Sequence, residues 1–343
     1  MEDVLLILAV DEDHSLGKPA LESVTAARDL VDSLGAALVI GFIGGNASEA
    51  GAAIADCGAK RFLAVSGPEF SQSRYGTDAA AVEALSRAAR ANLVLAAGIA
   101  RWNRIMPGVA HRLGGRADLH LTKVMVIDGA VYATKWFYRQ RMEAVFARDQ
   151  RPWFLVIDPG SYPPWQGSTG AASVGLVPVN VKRDQVRTQV QGLQAPPADE
   201  QTIRPEAELL FVAGAGWTKK QADGQTHPDK AAELILEFLR LSKASLGGSK
   251  SMVDLSAEGQ LVLPFMSHLN QVGQTGATPR HPKGLATCCH GEEPHVVGWR
   301  FINERRAVNL DPNCGWAHGK TDVLYVADAF AVMERLNSLL KTS

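Results

Sequence analysis

The amino-acid sequence predicts an α/β protein of two domains, each a mostly parallel sheet flanked by helices. The chain has 343 residues, and single hydrophobic cores stop growing near about 250–300 residues, so two domains are expected. Its short apolar runs lack the alternation of half-exposed strands, which is typical of parallel sheets covered on both faces. Segments with the apolar spacing of helices lie between these runs, and this alternation indicates an α/β architecture.

Four apolar runs in the N-terminal half are predicted as buried strands. They are Val4–Val10, Ala37–Ile43, Arg61–Val65 and Leu93–Ala97. The first helix is predicted from Pro19 to Leu34, where apolar residues recur at spacings of three and four. A second helix is predicted over Ala79–Ala91, with Asp78 as its N-terminal cap.

Glycines mark three further features of this half. Gly44-Gly45 lacks the spacing of a phosphate-binding loop, so a turn from strand to helix is predicted. Gly98–Asn103 leaves two interpretations open, an edge that contacts a nucleotide and a loop that packs against a partner subunit. Beyond Gly114-Gly115, four apolar runs without intervening helices are predicted to extend the same sheet. These runs are Leu119–Ile127, Val131–Tyr138, Ala144–Ala147 and Trp153–Ile157.

A change of composition divides the chain. Residues 158–205 are rich in Pro, Gly, Gln and Ser and have weak periodicity. Their later part is predicted as an interdomain linker because such a composition does not build a core. The predicted organisation is therefore an N-terminal α/β domain over residues 1–184, a linker over 185–204 and a second domain over 205–343.

The second domain opens with a unit suited to a diphosphate. Leu209–Gly216 is predicted as a strand that ends in a glycine turn, and the helix Asp229–Lys243 follows it. A strand, a glycine turn and a helix in this order place backbone N–H groups at a phosphate. A further strand is predicted over Leu285–Cys289.

Bulk composition excludes several classes of partner. The chain is 46% hydrophobic and 21% charged with a net charge of −1, so no nucleic-acid or anionic membrane surface is expected. Its four cysteines show no CxxC spacing, which fits a reducing compartment. Neither a signal peptide nor a transit peptide is recognisable, and the apolar runs fall short of the about 20 residues that span a bilayer. A cytoplasmic protein without direct membrane insertion is predicted.

The most informative segment is Asn270–Gly276, which reads Asn-Gln-Val-Gly-Gln-Thr-Gly. Glycine lets a backbone approach a ligand closely, and Gln and Thr present donors and acceptors to the edge of a flat heteroaromatic ring. Followed through Cys288 to Asp328, the pattern resembles the flavin-binding domain of the electron transfer flavoprotein alpha subunit. Val272–Thr275 matches the Val-Gly-Gln-Thr motif of that family letter for letter.

Other segments carry the same resemblance in the same order. Gly247–Asp254 is similar to the family's Ser-Arg motif, with Lys250 in place of arginine, and Val326–Asp328 matches its closing Val-Ala-Asp. The segments His290–His295 and Asn309–Pro312 stand where the family has Ser-Gly-Ala-Ile-Gln-His and Asn-Lys-Asp-Pro. The N-terminal half, from its opening Val-Leu-Leu-Ile-Leu-Ala-Val onwards, looks like the family's first domain, which supports the beta subunit.

The resemblance implies a Rossmann-like second domain that binds FAD. The cofactor-binding residues carried over by position are Ser249, Lys250, Val272, Gly273, Gln274, Thr275, His290, Gly291, His295, Asn309 and Asp328. By the same resemblance, Ser249 binds a phosphate, Thr275 contacts the flavin N5, and His295 contacts the C2 carbonyl. Asn309 and Asp328 take the adenosine and adenine ends.

The implied function is electron transport without a substrate of its own. The chain would pair with an electron transfer flavoprotein beta subunit, accept electrons from a donor flavin dehydrogenase and pass them toward a membrane quinone oxidoreductase. No catalytic acid, base or nucleophile is expected because the chemistry belongs to the cofactor.

Three departures from the family pattern keep other hypotheses open. Gly214–Trp217 replaces Gly-Gly-Arg-Gly, so either Lys219 or Lys220 supplies the lost charge or Trp217 stacks on the ring. Glu292-Glu293-Pro294 places carboxylates where a reduced flavin is negative. The alternative function is therefore a redox-inactive, nucleotide-binding structural or regulatory subunit of a dehydrogenase complex. A metal site on Cys288-Cys289-His290 and Cys314 is a weaker hypothesis, because adjacent strand side chains point to opposite faces.

Overall fold

A computed structural model describes residues 3–47, 49–137, 142–192, 203–204, 207–257, 263–267, 270–272, 281–288, 299 and 302–342. The chain divides into two compact units, Met1–Leu193 and Gln194–Ser343. In the described residues, no helix combines the length and the apolar character that crossing a bilayer requires.

The first unit is built on a nine-stranded sheet in the order β7-β6-β5-β8-β4-β1-β2-β3-β9. Its neighbours pair in parallel except for the antiparallel pairs β5–β6 and β6–β7. The strands are β1 (Asp3–Ala9), β2 (Ala37–Gly44), β3 (Arg61–Ser66), β4 (Leu93–Ala97), β5 (Arg116–Ile127), β6 (Ala130–Phe137), β7 (Met142–Phe146), β8 (Trp153–Ile157) and β9 (Val174–Leu176). The helices are α1 (Lys18–Leu34), α2 (Tyr75–Ala89) and α3 (Ala100–Arg112).

Both faces of this sheet are covered, as its unbroken apolar strands predict. Leu6 and Leu8 of β1 belong to the core that packs under α1. Leu5 and Ile7 of the same strand belong to the opposite core, under α2 and α3. All four side chains are at most 1% exposed. A strand with two buried faces has no polar side to show, which explains why its sequence does not alternate.

The structure corrects the predicted start of α2. The helix begins at Tyr75, four residues before the predicted Ala79, and Asp78 lies inside its first turn. The Asp78 carboxylate accepts the backbone N–H of Arg74 at 3.1 Å and pairs with Arg101 at 2.6 Å. Its side chain is fully buried. Asp78 therefore links α2 to α3 through Arg101 and is not the residue that precedes the helix as its N-terminal cap.

Helix α3 overturns the loop predicted over Gly98–Asn103. Pro107 and Gly108 interrupt the sequence pattern, yet apolar residues continue on one side of the helix at helical spacing. These residues are Trp102, Ile105, Met106, Val109 and Ala110. Trp102 is 1% exposed within that core and is therefore not a partner-facing side chain.

The second unit holds a five-stranded parallel sheet in the order β11-β10-β12-β13-β14. The strands are β10 (Leu209–Ala213), β11 (Ser245–Gly248), β12 (Lys283–Thr287), β13 (Glu304–Asn309) and β14 (Val323–Val326). The helices are α4 (Pro228–Ser242), α5 (Lys250–Ala257), α6 (Gly315–Lys320) and α7 (Ala329–Thr342). The predicted α/β class is confirmed, with a mixed, mostly parallel sheet in the first unit and a parallel sheet in the second.

Alternate residues of strand β10 pack into two different cores. Phe211 and Ala213 pack with residues of α4 and α7. Leu210 and Val212 pack on the other side with Val272, the α6 helix and Trp299. The chain leaves β10 toward β11 on one side and reaches β12 on the other, so the strand order reverses between β10 and β12. A crevice is expected outside the carboxyl ends of strands at such a point.

Candidate functional site

The carboxyl ends of the second sheet gather the predicted site residues that the structure describes. Gly214 follows β10, Ser249 follows β11, and Cys288 follows β12. Asn309 is the last residue of β13, and Asp328 lies two residues beyond β14. Because all five strands are parallel, these positions share one edge of the sheet. Residues separated by more than 100 positions in sequence are thereby assembled at the edge where ligands bind in open α/β sheets.

Ser249 and Lys250 form the start of α5. The Ser249 hydroxyl accepts the backbone N–H of Met252 at 3.3 Å, and its own N–H donates to the Ala213 carbonyl at 2.9 Å. Ser249 is 2% exposed, whereas Lys250 is exposed. Gly247 and Gly248 complete β11 and are not a glycine loop with a solvated lysine, which was the simplest interpretation of this segment alone. A capped helix start with a cation beside it favours an anionic group.

Val272 ties the Val-Gly-Gln-Thr motif to this edge through its backbone. Its N–H donates to the Gly248 carbonyl at 3.1 Å. Its side chain is fully buried in the core beneath β10, so the isopropyl group packs and does not face a ligand. The remaining motif residues lie outside the described residues. They are Gly273, Gln274, Thr275, His290, Gly291 and His295.

Gln271, immediately before this motif, was not predicted as a site residue. It is 2% exposed, and its Oε1 atom is buried without a hydrogen-bond partner in the part of the chain that the structure describes. The sequence signal that could have predicted Gln271 as a site residue is its place in the amide- and glycine-rich segment Asn270–Gly276. The family motif begins one residue later, and the resemblance therefore passed over it.

Asn309 and Asp328 both shape the backbone at the edge. The Asn309 Oδ1 accepts the N–H of Asp311 at 3.1 Å, which forms the turn after β13. The Asp328 Oδ1 accepts the N–H of Ala331 at 2.9 Å and caps α7. Asp328 is half-buried, and Oδ1 is the carboxylate oxygen that the cap uses. A turn and a helix cap are therefore structural reasons for an Asn at 309 and an Asp at 328, apart from any contact with a ligand.

The structure decides one of the alternatives for the missing arginine. Trp217 is fully buried, its indole N–H donates to the Thr287 hydroxyl at 2.8 Å, and its ring lies 4.7 Å from the Phe330 ring. A tryptophan enclosed in this way does not stack on a bound ring. Lys219 and Lys220 are exposed directly after it, so the charge alternative is the one that the geometry leaves.

Cys288 occupies an unusual backbone conformation at the end of the central strand β12. Its φ of 55° lies in the left-handed region, which non-glycine residues seldom adopt. Its N–H donates to the Val308 carbonyl at 3.2 Å and its carbonyl accepts the Gly216 N–H at 3.1 Å, so both neighbouring strand ends hold it. Burial, with the nearby Asp328 carboxylate, raises the pKa of its thiol to about 12.

A neutral thiol is a poor metal ligand, because thiolate is the binding form. Among the described His, Cys, Asp and Glu side chains, no three are grouped so as to hold a metal ion. Cys289 and His290 lie outside the described residues, so the cluster as proposed stays untested.

The residues at this edge fit a dinucleotide. The capped start of α5 suits a diphosphate, and the Ser249 hydroxyl has a hydrogen that no described residue accepts. The unpaired Gln271 oxygen suits a donor on the ligand, and the Asp328 carboxylate suits a hydroxyl or an amino group. The second unit is a doubly wound α/β sheet whose strand ends gather polar side chains of the kind that nucleotides contact.

Comparison with known proteins narrows this class. The sequence model of the electron transfer flavoprotein domain matches residues 4–184, more than half of the chain. The chain therefore belongs to the electron transfer flavoprotein family. No curated protein matches the sequence. The matched residues fall within the first unit, whereas the strand-end site belongs to the second.

Proposed function

We propose that the chain is the alpha subunit of a heterodimeric electron transfer flavoprotein that carries FAD on its second unit. Residues 1–184 support the beta subunit, residues 185–204 link the domains, and residues 205–343 bind the cofactor. The observation that supports this most directly is the common strand-end edge of Ser249, Asn309 and Asp328. FAD supplies the electron-accepting ring, and the protein supplies binding, orientation and electrostatics.

Each described site residue has a role in this proposal. Ser249 and the start of α5 hold the diphosphate. By the family resemblance, Lys250 takes the place of the arginine whose positive charge lies beside the flavin ring. Asn309 and Asp328 take the adenosine end, where their short hydrogen-bonded turns fix the backbone. Val272 contributes its backbone, whose N–H donates to the Gly248 carbonyl.

The remaining roles come from the family resemblance. Thr275 donates a hydrogen bond at N5 of the flavin, and Gly273 and Gln274 of the same motif are further cofactor-binding residues. His295 donates at the C2 carbonyl, and His290 and Gly291 are further cofactor-binding residues of its segment. The donor at N5 decides how easily that nitrogen is protonated when the ring is reduced. The donor at the C2 carbonyl stabilises the negative charge that spreads over N1 and O2 on reduction.

Electrons would reach this FAD from a flavin dehydrogenase and leave toward a membrane quinone oxidoreductase. The test is a visible absorption spectrum of the chain purified together with its beta subunit. Flavin bands that bleach with a donor dehydrogenase and its substrate, and return when the quinone oxidoreductase is added, are the expected result. An intact folded complex without flavin bands would contradict the proposal.

A second candidate function is a redox-inactive subunit that keeps the fold and binds a nucleotide. Burial of Trp217 favours it, since the segment in place of the family's arginine offers neither that cation nor a stacking ring. Such a subunit would copurify with adenine nucleotide and show no flavin absorbance. Nucleotide analysis of the same denatured sample separates the two functions.

A further inference from the structure

Gln271 has a buried amide oxygen without a hydrogen-bond partner in the part of the chain that the structure describes. The residue is 2% exposed, and the atom concerned is Oε1. An unsatisfied buried polar group costs about 1–3 kcal/mol relative to a paired one. Native proteins retain few such groups, and a bound water, an ion or a ligand group is the usual explanation for one.

The register of the backbone fixes where this amide lies. Gln271 forms a parallel bridge with Gly248, and the next N–H, from Val272, donates to the Gly248 carbonyl at 3.1 Å. Paired residues of neighbouring strands project to the same face. A side chain at Gly248 would meet Met266 and, at 3.5 Å, Val253 of α5. The Gln271 amide therefore lies on the α5 side of the sheet, beside the residue that precedes Ser249.

Two polar side chains, Ser249 and Gln271, thus belong to this end of β11, because Gln271 pairs with Gly248, the residue before Ser249. The Ser249 hydroxyl accepts from Met252, and its hydrogen is free to donate outward. The Gln271 oxygen accepts and requires a donor. A phosphate only accepts, so it satisfies the serine and the helix start but not the glutamine. A hydroxyl group donates and accepts, and a polyol next to a diphosphate satisfies both residues.

We propose that Gln271 accepts a hydrogen bond from a hydroxyl of the ribityl chain of the bound cofactor. The chain connects the flavin ring to the diphosphate, so it passes the start of α5 when the diphosphate lies there. Gln271 is then a binding residue that fixes the distance between ring and diphosphate. This inference rests on the proposed FAD function and assigns it a residue and a ligand group.

The first test replaces Gln271 by methionine, which is similar in size and has no strong hydrogen-bonding group. FAD affinity of the complex with its beta subunit, stripped of flavin and titrated by fluorescence, should fall about tenfold, the ratio set by one hydrogen bond of typical net strength. The melting temperature of the flavin-free complex should not fall, because the amide has no protein partner to lose. Unchanged affinity, or a lowered melting temperature without flavin, overturns the assignment.

Asn337 provides the matched control. It is also 2% exposed, and its Oδ1 also has no partner among the described residues. It lies in α7, ~12 Å along the helix from its first residue, away from the strand-end edge. Asn337→Leu should leave FAD affinity unchanged. An equal loss in both variants would show a general effect of core polarity and would overturn the inference.

The second test identifies the ligand group. FAD analogues that each lack one ribityl hydroxyl are titrated against wild type and Gln271→Met. With one analogue the two proteins should bind equally, because the hydroxyl that Gln271 contacts is gone. A constant difference across all analogues overturns the ribityl assignment. A wild-type complex that binds no flavin contradicts the proposed function itself, whereas equal FAD binding by wild type and Gln271→Met overturns only the role of Gln271.

Discussion

The left-handed conformation of Cys288 is a residue-scale feature with a measurable cost. At a φ of 55° a β-branched side chain collides with its own backbone. Cys288→Val should therefore lose about 1–3 kcal/mol more unfolding free energy than Cys314→Val, since strained conformations of this kind cost that much. Cys314 is 4% exposed at an ordinary φ of −58° and serves as the matched site. Equal losses in urea unfolding would contradict the strain.

The proposed hydrogen bond from Thr275 to the flavin N5 can be tested by substitution. Thr275→Ala should keep FAD but make its midpoint potential more negative, because a donor that stabilises charge on the reduced ring is lost. The expected effect is that of one hydrogen bond to a charged group, about 1.5–3 kcal/mol. Thr275→Ser keeps the hydroxyl and is the control. Spectroelectrochemical titration measures both, and equal potentials would contradict the N5 contact.

At the scale of an element, Asp328 has two roles: it caps helix α7, and it is proposed to bind the adenine end of FAD. Asp328 accepts the N–H of Ala331, and serine at this position retains a capping oxygen. Asp328→Ala should lower the unfolding free energy by about 1 kcal/mol, whereas Asp328→Ser should leave it nearly unchanged.

FAD affinity then separates the two roles of Asp328. If its carboxylate also holds the adenine end, both variants bind FAD more weakly. Wild-type affinity in the stable Asp328→Ser protein would restrict this residue to capping.

A buried carboxylate joins strand β5 to strand β8. Asp118 is 6% exposed, pairs with Arg148, and accepts the indole N–H of Trp153 at 2.9 Å. Burial would raise the pKa of Asp118, but the hydrogen bonds from Arg148 and Trp153 outweigh it and hold the pKa below its usual 3.8. Because its pKa is lower in the folded state, the ionised carboxylate stabilises the fold at neutral pH. This stabilisation is lost as the pH falls below 3.8 toward the pKa of the folded state.

Asp118→Asn should therefore lower stability at pH 7 by about 1–3 kcal/mol and flatten its acid dependence. Urea unfolding followed by tryptophan fluorescence between neutral and acidic pH measures both effects. Parallel acid profiles for variant and wild type would contradict the assignment.

At the scale of the whole molecule, the boundary between the two units along the chain lies between residues 193 and 194. The predicted linker, 185–204, contains this position and has the Pro- and Gln-rich composition of a connecting segment. Limited proteolysis of the purified complex should cut first within 185–204 and yield two fragments that mass spectrometry places there. First cuts inside either sheet would contradict a linker at this point.

The sequence predicted the elements whose pattern is local and continuous. The strands β1, β4 and β8 and the helix α1 follow from apolar runs and helical spacing within a few residues. Helix α3 was missed because Pro107 and Gly108 are strong local signals against a helix. Its buried face outweighs them, since tertiary packing of an amphipathic face supplies most helical stability.

What the sequence by itself determined is the family, the α/β class and the order of the motifs from Ser249 to Asp328, because these depend on residue types in sequence. Only the tertiary structure decided how those residues are used. It enclosed Trp217, gave Val272 to the core, turned Asp328 into a helix cap and left the Gln271 oxygen unpaired. Burial and hydrogen-bond pairing depend on which strands become neighbours. That order reverses between β10 and β12, and residues 70 positions apart meet there.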